Sequence, residues 1–186
     1  MKLSLFSLGL ALTLLPVSSL YAQTPAKAST AATEQKPWVQ SSFQGFSVST
    51  PVALEKLDFA LPAEQKALLH SMESYMGRTD QVIIYGMFMH IKNGTGNVQG
   101  SLQGAIQNAV TQLEGTDFQV DFMEQNNQKS SYLATGRFNR GTDKMVVKGY
   151  AYSDLKGKVY ILSVFGMDNL KTDNAYSRML STIKVL

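Results

Sequence analysis

Strand-length segments alternate with turns over residues 118–165, FQVDFMEQNNQKSSYLATGRFNRGTDKMVVKGYAYSDLKGKVYILSVF. Turn-forming residues separate the segments at QNNQ, NRG and DLKG. Connections this short join antiparallel neighbours, so the stretch predicts a four-stranded antiparallel meander. The predicted strands are residues 118–123, 132–138, 144–152 and 158–165.

The segments that precede the meander alternate between strand and helix patterns. Residues 81–92 are apolar on both faces, which predicts a strand near the middle of a sheet. Residues 98–114 carry one apolar stripe at helical spacing, with Asn97 suited to cap the start and Gly115 to end the helix. Residues 61–77 are ambiguous; helical spacing of their apolar residues favours a helix, but the latter half also fits a strand.

Residues at the two ends of the predicted domain complete it. Residues 43–59 predict a hairpin that turns at Thr50-Pro51. A last helix is expected to begin near Asp173, followed by a short strand over 182–186. The element order predicts an α+β fold, in which a largely antiparallel sheet packs against helices.

Three of these patterns resemble the PsbP/Mog-like family. They are FSVSTPVALEKLD at 46–58, the two-sided strand at 81–92, and the closing AYSRMLSTIKVL at 175–186. The resemblance covers about 38–186 and implies an α-β-α sandwich without catalytic activity that docks on partner proteins. No functional residue is transferred from the family to this chain.

Residues 1–22 have the pattern of a secretory signal peptide: Lys2, an apolar run over 3–15, Pro16, and small residues that end at Ala22. The run is too short for a membrane-spanning helix, so we expect a periplasmic or secreted protein with no transmembrane segment after cleavage. Residues 23–37 are rich in Ala, Thr, Gln and Pro, which predicts a flexible linker before one domain at 38–186.

Composition excludes several kinds of site. The chain has no cysteine, so disulfides, thiolate metal sites and a cysteine nucleophile are excluded. Its two histidines, His70 and His90, lack any partner at ligand spacing, and no nucleophile motif is present, so we predict no enzyme activity, cofactor or metal.

On a strand Met87 and Met89 share one face and His90 points to the other, which disfavours a copper site formed by these neighbours. Gly100 and Gly104 predict a close approach of the long helix to the sheet.

Basic residues concentrate in the meander, where residues 129–158 contain seven Lys or Arg against two Asp. Alternation in two adjacent strands predicts one face with lysines among tyrosines. This lysine–tyrosine face suits an anionic partner, either an envelope protein or an anionic surface, and export argues against nucleic acid. An ordinary solvated sheet face is the alternative. The face comprises Lys144, Lys148, Tyr150, Tyr152, Lys158 and Tyr160.

The function predicted first is an exported, non-catalytic binding or assembly module in the periplasm that docks on such an anionic partner. A second function also fits the sequence. An α/β layer fold can hold an apolar pocket between helix and sheet, so the protein could instead carry a small apolar ligand. The residues expected to line such a pocket are Met72, Tyr75, Met76 and Phe88.

Overall fold

The structure is a computed structural model that describes residues 37–58, 63–92, 94 and 96–185. The predicted signal peptide, and the predicted linker up to residue 36, lie outside the described residues. In chain order the elements are β1 (Val39–Phe43), β2 (Phe46–Thr50), β3 (Glu55–Leu57), α1 (Ala63–Ala67), β4 (Leu69–Arg78), β5 (Val82–Ile91), α2 (Val98–Gln112), β6 (Thr116–Glu124), β7 (Ser131–Arg140), β8 (Asp143–Ser153), β9 (Lys158–Met167), α3 (Leu170–Thr182) and β10 (Lys184–Val185).

A seven-stranded sheet forms the centre of the fold. Its strand order is β3-β4-β5-β9-β8-β7-β6, and every neighbouring pair is antiparallel. The predicted meander is confirmed as β6 to β9. The two-sided strand is confirmed as β5, which lies between β4 and β9 and buries residues on both of its faces.

Different layers cover the two faces of this sheet. Helix α2 lies on one face and packs against β6 to β9 through Leu102, Ile106 and Val110. Its start is as predicted, because the Asn97 side chain accepts a hydrogen bond from the amide of Gly100. The other face is covered by α3 together with a second sheet of order β1-β2-β10, whose Phe43 and Phe46 enter the core.

The predicted α-β-α sandwich is wrong. About 52% of the described residues are in strands and 23% in helices, so this part of the chain is a β-rich fold with three short helices rather than an α-β-α sandwich. One reason why the sandwich prediction failed is that the layer on the face opposite α2 consists partly of the β1-β2-β10 sheet instead of helices alone. Another is that most of residues 61–77, which were expected to form a helix, belong to a strand.

The pattern at residues 61–77 misleads because its key spacing fits both structures. Met72 and Met76 are four residues apart, which places them on one side of a helix and equally on one face of a strand. In the structure both lie in β4, where Met72 pairs with Met89 and Met76 with Tyr85 of β5. Of the part of this segment that the structure describes, residues 63–77, only the five residues Ala63–Ala67 are helical.

The sheet is wider than the layer that α2 provides. Six spacings of about 4.8 Å make a seven-stranded sheet about 29 Å wide, whereas a helix with its side chains is only about 10 Å across. Because α2 lies over β6 to β9, the β4–β5 half of the same face is left partly open. On this face of β5, Tyr85, Met87 and Met89 are only half-buried, although Ile83 is buried.

No helix among the described residues has both the length and the apolar character needed to cross a membrane.

Candidate functional site

The open half of the α2 face contains an apolar cavity of about 320 Å³ between α2, the end of α1 and the β4–β5 hairpin. We call it the methionine groove. The described residues that line it include no charged side chain. Those used below are Leu68, Met72, Met87, Met89, Gly100 and Gly104.

Register places three methionines on the floor of the methionine groove. Met72 of β4 and Met89 of β5 are direct partners, and Met87 lies two residues before Met89 on the same face of β5. All three are half-buried. Thioether side chains are flexible and polarisable, so a surface that contains several of them can adapt to apolar ligands of different shapes.

The wall of the methionine groove formed by α2 contains two glycines. A Cβ atom added to Gly104 would meet no heavy atom within 4 Å, and one added to Gly100 would meet the side chain of Asn97 rather than the sheet. The predicted close approach of helix and sheet at these glycines is therefore wrong. Instead, Gly104 borders open space in the interior of a helix, where glycine costs about 1 kcal/mol relative to alanine.

Leu68 forms one end of the methionine groove and is 65% exposed, which is high for a large apolar side chain. It follows α1 directly, and its carbonyl oxygen accepts a hydrogen bond from the amide of Lys92. Its main chain is thus held by the end of β5 while its side chain remains in solvent.

Of the residues predicted to line an apolar pocket, the structure brings only some together. Met72 lines the methionine groove, and Met76 lies on the same face of β4. Tyr75 and Phe88 point to the opposite face, where Tyr75 stacks on Phe43 and Phe88 packs against Tyr160. Alternation along the strands therefore separates Tyr75 and Phe88 from the methionines. A helix over residues 61–77 would instead have allowed Met72, Tyr75 and Met76 to face Phe88 of the sheet together.

The lysine–tyrosine face is not the continuous exposed surface that was expected. Tyr160 is 2% exposed, and its hydroxyl donates a 3.0 Å hydrogen bond to the carbonyl of Gln44, so the expectation of exposure is wrong for this residue. Tyr150 and Tyr152 are half-buried beside α3 and the small sheet. Burial is also the main cause that raises the pKa of Tyr150.

The three lysines of the lysine–tyrosine face differ in their surroundings. Lys148 is half-buried and its ammonium lies 2.7 Å from a carboxylate oxygen of Asp173 in α3. Lys144 and Lys158 are exposed, but they lie at opposite ends of the β8–β9 hairpin. At a rise of about 3.3 Å per residue this places them about 30 Å apart, so they do not form one compact basic patch.

A polar cleft of about 350 Å³ also involves Lys144, together with Asp117, Arg137 and Asp168. The side-chain amide of Asn139 donates a 2.8 Å hydrogen bond to Asp117. Two carboxylates balance the two cations, so this cleft has no net charge that would select an anion. It therefore gives little support to an anionic ligand, although it is slightly larger than the methionine groove.

A charged cluster joins β3 and β4 at the edge of the large sheet. The carboxylate of Glu73 accepts hydrogen bonds from Lys56 at 2.8 Å and from the Tyr75 hydroxyl at 2.6 Å. The bond from Lys56 is the main cause that lowers the pKa of Glu73, and burial together with the bond to Glu73 raises the pKa of Tyr75 to about 12. The cluster lines neither of the two cavities described above, so we interpret it as a structural contact.

Within the described ranges, no three His, Cys, Asp or Glu side chains are grouped so that they could hold a metal ion. The comparison of the sequence with protein families gives no match, and neither does the comparison with curated proteins.

Proposed function

We propose that the protein is an exported, non-catalytic carrier that binds a small apolar ligand in the methionine groove. The proposal rests on one observation. Gly104 lies on one side of the methionine groove, the three methionines lie on the other, and the cavity between them is open. The helix retains a residue that weakens it, and the space which that residue leaves is not filled by any other side chain.

Because the described residues that line the methionine groove carry no charge, the part of the ligand that enters the groove should be uncharged. An ionic group would lose its hydration on entering and would find no opposite charge there. An apolar chain or ring would instead gain about 0.8 kcal/mol for each methylene group that it buries. The polar lining residues that can orient one end of such a ligand are Ser101 and Asn108 on α2 and Gln65 on α1.

The other parts of the proposal rest on the sequence. Export follows from the signal-peptide pattern of residues 1–22, and a non-catalytic role from the lack of a nucleophile motif. Docking on an anionic partner through the lysine–tyrosine face has less support than the carrier role. Tyr160 is buried, Lys148 is paired with Asp173, and the two exposed lysines are far apart.

The proposal is tested with a neutral apolar probe, N-phenyl-1-naphthylamine, whose fluorescence rises when it leaves water. We expect the unaltered protein to bind the probe at one saturable site. The decisive variant is Gly104→Leu, whose new side chain projects into open space in the methionine groove. It should weaken binding by about tenfold or more, because about 1.4 kcal/mol of lost contact has that effect.

The matched control is Gln103→Leu, which adds the same side chain on the exposed face of α2. It should bind the probe as the unaltered protein does. The carrier proposal would be abandoned if Gly104→Leu and Gln103→Leu bound the probe equally well while both kept the circular dichroism spectrum of the unaltered protein. Absence of saturable binding to the unaltered protein would count against it in the same way.

A further inference from the structure

His70 and His90 are brought together by an irregularity in the β4–β5 pairing. Leu69 pairs with Ile91 and Ser71 with His90, so His70 is an extra residue on β4, which is the arrangement of a β-bulge. A bulge turns a side chain away from the direction that regular alternation would give. In this protein the two imidazole rings lie in contact, with their centroids 4.7 Å apart.

That separation matches two imidazoles on one metal ion. A metal–nitrogen distance of about 2.1 Å plus a ring radius of about 1.1 Å puts each ring centre about 3.2 Å from the ion. Nitrogen–metal–nitrogen angles between about 90° and about 109°, from tetragonal to tetrahedral, then separate the ring centres by about 4.5–5.2 Å. The observed 4.7 Å lies within this interval.

The rings are also accessible to an ion from solvent. His70 is exposed and His90 half-buried. His90 points to the face of the sheet opposite Met89, so the histidine pair is separate from the methionine groove. Lys158 of β9 is the register partner of His90; it is exposed, so its ammonium can turn into solvent when an ion binds.

We propose that His70 and His90 form a binding site for one divalent transition-metal ion, with Cu²⁺ preferred. Imidazole nitrogen suits copper, nickel and zinc, and Cu²⁺ binds most tightly to a given set of nitrogen ligands among these divalent ions. Two protein ligands leave the remaining positions of a tetragonal ion to water. The site goes beyond the carrier function and does not depend on it.

The test is titration of the purified, untagged and EDTA-treated full chain with CuCl₂ by calorimetry, together with pulsed electron paramagnetic resonance of the complex. His70 and His90 are the only histidines in the sequence, so every imidazole signal comes from this pair. We expect one Cu²⁺ with two coordinated imidazoles. His70→Gln and His90→Gln should each weaken binding by about tenfold or more, because the second imidazole no longer binds intramolecularly.

Asp121→Asn serves as the control for binding to surface carboxylates and should leave the affinity unchanged. Because His70 is exposed and His90 is only half-buried, we expect both histidine variants to fold. Circular dichroism checks the folding of each variant. A complex with one imidazole or none would overturn the proposal. So would single histidine variants that fold and bind Cu²⁺ as tightly as the unaltered protein.

Discussion

Tyr176 of α3 donates a 2.8 Å hydrogen bond from its hydroxyl to the carbonyl oxygen of Gly149 in β8. On the other face of the same strand, a Cβ atom at Gly149 would lie 3.0 Å from both Leu102 and Ile106 of α2. Gly149 is therefore the point at which the large sheet is held from both sides, by close packing of α2 and by a hydrogen bond from α3.

Removal of this hydrogen bond should destabilise the protein. Tyr176 is 8% exposed, so Tyr176→Phe removes the donor from a place that water reaches poorly. We expect the free energy of unfolding to fall by about 1–2 kcal/mol. Urea denaturation monitored by circular dichroism measures the change. A loss below about 0.3 kcal/mol would mean that water replaces the hydroxyl without cost.

Burial of tyrosines predicts a loss of stability in alkali. Desolvation is the first cause that raises the pKa of five tyrosines above the ordinary value of 10.0. The folded state then holds these protons more tightly than the unfolded state. Their contribution to stability is therefore complete below about pH 10 and is lost as the pH rises toward the folded pKa values. The five are Tyr75, Tyr85, Tyr150, Tyr160 and Tyr176.

The measurement is a titration above pH 9 that follows tyrosinate absorbance and circular dichroism together. Most of the tyrosinate signal should appear in the same transition in which the folded signal is lost. Ionisation of nearly all the tyrosines before any unfolding would show that these side chains are accessible in the folded protein.

Two glycines predict opposite effects of the same substitution. Gly104→Ala adds a methyl group in open space within a helix and should raise the free energy of unfolding by about 1 kcal/mol. Gly136→Ala places a Cβ only 2.7 Å from the carbonyl oxygen of Gln119, so the β6–β7 pairing must shift and stability should fall. Thermal unfolding of the two variants gives the comparison, and a destabilised Gly104→Ala would contradict the open wall of the methionine groove.

Charge reversal at Lys148 of the lysine–tyrosine face should destabilise the protein. Lys148→Glu places a carboxylate next to Asp173 and replaces an attraction by a repulsion. Because the pair is only partly buried, we expect a loss of about 1 kcal/mol. Lys129→Glu is the control, because it makes the same change at an exposed position in the turn between β6 and β7, and it should change stability by less than about 0.5 kcal/mol. Denaturation at low and high salt measures both, and equal effects of the two variants would refute the ion pair.

Local patterns were sufficient to predict much of this fold. Alternation and turn residues identified β6 to β9, and the apolar stripe with Asn97 identified α2 to within two residues of its observed end. The helix predicted over residues 61–77 failed because Met72 and Met76 satisfy both periods. The structure settles the choice through pairing of β4 with β5, which is a long-range contact that local spacing does not contain.

The candidate sites depended still more on long-range structure. The sequence pointed to Met72 for an apolar pocket, but Met87, Met89 and Gly104 join it only because α2 leaves half of the sheet uncovered. Strand alternation alone gave the side chains of Lys148 and Tyr160 the same face but did not show that α3 and the small sheet cover it. The contact between His70 and His90 requires a bulge, for which the sequence has no clear signal.

Native mass spectrometry of the protein purified from its own host shows whether the methionine groove holds an apolar ligand. We predict a bound apolar molecule in the unaltered protein and in Gln103→Leu, and its loss from Gly104→Leu. An unaltered protein that carries no such molecule, or a Gly104→Leu variant that retains it in full, would contradict the proposed carrier function.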